Sequence, residues 1–85
     1  MYIAKTKNFT KLYQKLPKNI QKKADKQIIF LSKNLFHPSL NTKKMKGINR
    51  WEVRVDKNYR FTFEKINEVI MLKTIGPHDI GLGEK

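Results

Sequence analysis

The sequence predicts one α+β domain over residues 1–85, an N-terminal helical hairpin packed on a small antiparallel β-sheet. Three observations predict it: an apolar period of about 3.6 residues in the first third, a change to a period of two from Arg50 onward, and a short chain. Eighty-five residues bury only about 60–65% of their unfolded surface, so there is room for a single thin core. With 39% hydrophobic residues and 11% aromatics, that core can hold one sheet with a helical layer on it.

Phe9, Leu12, Tyr13 and Leu16 fall at i, i+3, i+4 and i+7, one face of a helix that opens near Thr6 or Asn8 and ends at Pro17. A second helix begins beside that proline. Ile20, Ala24, Ile28, Leu31 and Leu35 form its apolar stripe, with Lys18, Lys22, Lys23, Lys26 and Lys33 largely outside it. The stretch from His37 to Thr42 holds Pro38 and short polar side chains, the composition of a connector. Lys43 to Lys46 predict a short edge strand closed by Gly47.

Trp51, Val53 and Val55 then alternate with Glu52, Arg54 and Asp56, and Tyr59, Phe61 and Phe63 alternate with Arg60, Thr62 and Glu64. A loop at Asp56-Lys57-Asn58 sets Val55 against Tyr59, Val53 against Phe61 and Arg54 against Arg60. A slip by one residue would mix the two faces, so this register is the predicted one. Val69 to Leu72 predict a further strand after a turn at Ile66-Asn67-Glu68; its pairing register is open, and Gly76-Pro77 end it.

Nineteen Lys and Arg against seven Asp and Glu leave a formal charge of +12, which attracts polyanions and points to RNA or an RNA-rich machine as partner. Without cysteine there is neither a disulfide nor a thiolate metal site, and two separated histidines do not make a metal site either. No cofactor or metal is expected. No apolar run reaches the ~20 residues of a bilayer span, and residues Met1 to Lys5 lack the apolar stretch of a signal peptide. The expected setting is the cytoplasm, away from membranes.

In the predicted register Glu52, Arg54 and Arg60 share the polar face of the strand hairpin. Two facing arginines repel, so either an anionic ligand or Glu52 as shared counter-ion must answer them. His78, after the Gly76-Pro77 turn, can exchange a proton near neutral pH. Cleavage of RNA needs a base at the 2′-hydroxyl, positive charge on the phosphate and an acid for the leaving oxygen. Glu52, Arg54, Arg60 and His78 supply all three. Lys43, Lys44, Lys46 and Arg50 are candidates to extend the basic surface along an RNA backbone. Trp51 and Tyr59 belong to the apolar alternation and are expected in the core; His37 takes no role.

The order of these parts resembles the RelE/ParE superfamily of type II toxin–antitoxin toxins. The matching stretches are Phe9-Thr10-Lys11-Leu12-Tyr13-Gln14-Lys15-Leu16-Pro17, His37-Pro38-Ser39-Leu40, Lys44-Met45-Lys46-Gly47, Trp51-Glu52-Val53-Arg54-Val55, Asn58-Tyr59-Arg60-Phe61 and Ile75-Gly76-Pro77-His78-Asp79. The resemblance implies neutralisation by an acidic antitoxin protein and, in the RelE-like branch, cleavage of mRNA on the ribosome. By position it makes Arg54 and Arg60 the phosphate-contacting arginines, Glu52 the acidic residue some members use as base, and His78 the C-terminal catalytic histidine. Many RelE-like nucleases also carry an aromatic residue near the C-terminus, whereas residues Ile80 to Lys85 contain none. Two other readings stay open: a non-enzymatic ParE-like inhibitor of DNA gyrase, which does not need His78, and an inactive homologue that only binds its antitoxin.

Overall fold

The computed structural model describes residues 1–77. In chain order these form β1 (Tyr2–Lys5), α1 (Lys7–Gln14), α2 (Lys18–Lys33), a 3-10 turn at Pro38–Leu40, β2 (Lys43–Lys44), β3 (Trp51–Arg54), β4 (Tyr59–Ile66) and β5 (Val69–Pro77). The five strands make one sheet in the order β1-β5-β4-β3-β2. Strands β2 to β5 pair antiparallel, as expected. The α+β class stands, with one addition at the edge: β1 runs parallel to β5, so the sheet is mixed. Four residues with little alternation carry no strand signature of their own; β1 forms because β5 offers it an edge.

Thr6 starts α1 and ties it to the sheet. Its Oγ1 accepts from the Phe9 backbone N–H at 3.0 Å and donates to the Leu72 carbonyl at 3.1 Å. The two helices follow each other through residues 15–17 and touch where Gln21 Nε2 donates to the Tyr13 carbonyl at 2.9 Å and the Tyr13 hydroxyl donates to Asp25 Oδ1 at 2.7 Å. Phe9, Ile20, Ala24 and Leu31 from the helices, and Leu40 from the 3-10 turn, bury themselves against Val53, Val55, Phe61, Phe63, Ile70, Leu72 and Ile75. Each large apolar side chain so buried stabilises by about 1.5–3 kcal/mol.

The predicted hairpin register is the observed one: Val53 faces Phe61, Arg54 faces Arg60, and Val55 N–H donates to the Tyr59 carbonyl at 2.9 Å. The open register of β5 is resolved by a bulge. Phe63 pairs with Leu72 but Thr62 pairs with Thr74, which leaves Lys73 as the extra residue. Leu72 and Ile75 are three apart and would otherwise point to opposite faces; one inserted residue lets both enter the core. Trp51 stacks on Phe63 with ring centres 5.9 Å apart and Tyr59 packs against the core, as their alternation predicts.

Candidate functional site

Because the helices pack on the face that carries Val53, Phe61 and Phe63, alternation turns Glu52, Arg54 and Arg60 to the other face. There they line a groove of about 430 Å³ together with Asn41, Thr42 and Lys43. Lys43 enters from the edge because it pairs with Glu52. Three cations thus share the groove with one carboxylate. Thr62, the next residue across from Glu52, is only 1% exposed and shares a 2.7 Å hydroxyl–hydroxyl hydrogen bond with Thr74.

Among the described residues the ion pairs are Lys23–Asp56, Arg50–Glu64 and Lys73–Glu64. None of them involves Glu52, Arg54 or Arg60, so Glu52 does not bridge the two arginines. Arg60 is held from behind instead: its Nη1 donates to the Asp56 carbonyl at 2.7 Å and to the Tyr59 carbonyl at 3.0 Å. Asp56 itself closes the β3–β4 turn. Burial pushes its carboxyl up, but the Asn58 backbone N–H, the Lys23 ammonium and the Tyr59 backbone N–H outweigh this and hold it below the usual carboxylate value.

The other basic candidates are scattered. Lys44 pairs with Trp51 and so lies on the opposite face from Lys43, its Nζ donating to the Ile48 carbonyl at 2.9 Å. Lys46 is exposed beyond the strand. Arg50 is engaged with Glu64 at 3.4 Å, away from the groove lining. His78 lies outside the described residues.

Two contributors were missed in the sequence. Gln27 of α2 is 7% exposed; its Nε2 donates to the Arg54 carbonyl at 2.7 Å and to the Ser39 carbonyl at 3.0 Å, which joins helix, 3-10 turn and β3 behind the groove. A polar residue three places after Ala24, inside an apolar stripe, was the available signal. His37 stacks on Phe30 at 4.2 Å, and its Nδ1 accepts from the Ser39 N–H at 3.2 Å. It caps the turn that leads to Asn41 and Thr42.

Neither a family model nor a curated protein matches the sequence. Solved structures do match. A chain of the RelB–RelE antitoxin–toxin complex from Methanococcus jannaschii is 24% identical over 87% of this chain and 88% of that one, with a TM-score of 0.74. The archaeal RelE–RelB complex from Pyrococcus horikoshii matches at 18% identity over 92% and 94% of the two chains, with a TM-score of 0.78. The YoeB dimer from Staphylococcus aureus matches at 15% identity over 92% and 97%, with a TM-score of 0.76. The chain therefore has the fold of the RelE and YoeB toxins.

Proposed function

We propose that this protein is the toxin of a type II toxin–antitoxin pair and acts as an endoribonuclease on mRNA at the ribosome. One observation carries the reading: Lys43, Arg54 and Arg60 converge with Glu52 around a groove on the face of the sheet opposite the two helices. Such a groove suits a phosphodiester, with cations for the non-bridging oxygens and a carboxylate for a proton. In the proposed reaction the 2′-oxygen attacks phosphorus in line. The O2′–P bond forms, the P–O5′ bond breaks, and the 2′ proton passes to Glu52 or His78. The departing 5′-oxygen takes a proton from the other of these two or from water. Arg54 and Arg60 balance the charge that builds on the phosphate.

The proposed regulator is an acidic antitoxin protein, which would neutralise part of the +12 charge. The two RelB–RelE complexes among the structural neighbours support an antitoxin partner. The proposed setting is the cytoplasm, where mRNA and ribosomes are. No helix among the described residues is long and apolar enough to cross a membrane.

The test is induced expression with primer-extension mapping of cellular mRNA, for the wild type and for Glu52→Gln, Arg60→Ala and His78→Ala. Cleavage inside translated codons, lost on substitution, supports the reading. Growth arrest without cleavage points to gyrase or another binding target, and absence of arrest points to an inactive homologue.

A further inference from the structure

We infer that Asp56, which lies outside the groove, is a positioning residue that holds Arg60 ready to fork onto a phosphate. The inference rests on the reading that Arg60 contacts RNA. Arg60 stands opposite Arg54 in the strand pair, where like charges repel and a long side chain has many rotamers to choose from. Something must oppose both tendencies. The Asp56 and Tyr59 carbonyls do so by accepting from Nη1 at 2.7 and 3.0 Å.

The Asp56 carbonyl lies in the β3–β4 turn and the Tyr59 carbonyl at the start of β4 just after it, and the Asp56 side chain sets the shape of that turn. Its Oδ1 accepts from the Asn58 N–H at 2.8 Å and the Tyr59 N–H at 3.0 Å. Its Oδ2 meets Lys23 Nζ of α2 at 3.4 Å, which ties the turn to the helical layer. A guanidinium has five N–H donors in a rigid fork. With Nη1 turned to the backbone, the Nε and Nη2 edge remains for two parallel bonds to an anion. The chain of contacts runs from α2 through Asp56 and the turn to one edge of one arginine.

Two substitutions separate acceptor geometry from charge. Asp56→Asn keeps an oxygen at Oδ1 and loses the charge; Asp56→Glu keeps the charge and moves the acceptor by one methylene. The measurement is binding of a 2′-O-methyl oligoribonucleotide, which cannot be cleaved, by the full chain at ~100 mM salt, where phosphate contacts still dominate affinity. Each Asp56 variant is made with Arg60 and with Arg60→Ala, and melting curves are taken in the same buffer. Arg60→Ala weakens binding about tenfold or more, the weight of a charge-assisted pair. Asp56→Asn stays within about twofold of wild type and Asp56→Glu weakens binding about three- to tenfold, but in the Arg60→Ala background Asp56→Glu changes nothing further. Should Asp56→Glu not fold, Asp56→Ala carries the same expectation. The inference is overturned if Asp56→Glu binds like wild type while Arg60→Ala does not, or if it weakens binding equally in both backgrounds. Should Arg60→Ala bind like wild type, the reading of the groove itself fails.

Discussion

At the scale of single residues, the groove is defined by where its charges are held. Arg54 and Arg60 face each other, and the backbone of the turn keeps Arg60 in place. Glu52→Gln, nearly equal in size, should lower cleavage by about 10²- to 10⁴-fold if Glu52 is the base, with the melting temperature little changed; mapping cleavage products against melting curves checks this. Tyr13 gives a prediction in alkali. The Asp25 carboxylate accepts a hydrogen bond from its hydroxyl and, with burial and the negative charge of Asp25, pushes its pKa from 10.0 up to about 12. A raised pKa means that folding favours the protonated phenol. The stability it contributes is fully present below pH 10 and is lost as pH rises toward 12. In denaturant melts across that window, the wild type should lose its advantage over Tyr13→Phe. A constant difference would show that the hydrogen bond does not govern this titration.

At the scale of elements, short connectors decide where the site residues end up. Thr6 both caps α1 and bonds to β5, so Thr6→Ala should cost about 0.5–2 kcal/mol, measured by chemical denaturation. Gly47 sits at φ +78 in the turn between β2 and β3, and Gly47→Ala has space for its methyl group but not the backbone freedom. It should lose about 1–2 kcal/mol, the strain of a left-handed residue. Gln27→Leu tests the knot behind Arg54. It strands the Arg54 and Ser39 carbonyls, which should destabilise by about 1–3 kcal/mol and weaken RNA binding through a shifted β3.

At the scale of the whole molecule, the +12 charge should govern association more than fold. Binding of the wild type to single-stranded RNA should fall steeply between ~50 and ~200 mM salt, with a slope of about 0.7 per phosphate neutralised. A flat titration would remove the electrostatic argument for a polyanion partner. Arg60→Ala should reduce that slope by about one contact, whereas replacing Lys44, on the other face of the sheet, should leave the groove's share intact.

How much of this was legible in the sequence follows from the range of the forces involved. The two helices, the β3–β4 hairpin and its register came from local periodicity, because burying one face of a strand penalises any slip by a residue. That register alone put Glu52, Arg54 and Arg60 on one face, and only the described fold added Lys43 while sending Lys44 to the other side. Strand β1 pairs with residues 69–72, nearly seventy positions away, and nothing in Tyr2–Lys5 announces that partner. The bulge at Lys73 depends on which partners Thr62 and Phe63 choose, and the role of Gln27 on a turn brought to it by the packing of α2. The sequence by itself determined the two helices, the β3–β4 hairpin with its register and the net charge, since these rest on neighbours within a few residues or on composition alone. Tertiary structure alone decided the parallel edge, which lysine reaches the groove and what holds Arg60, because each depends on groups that meet only after the chain has closed on itself.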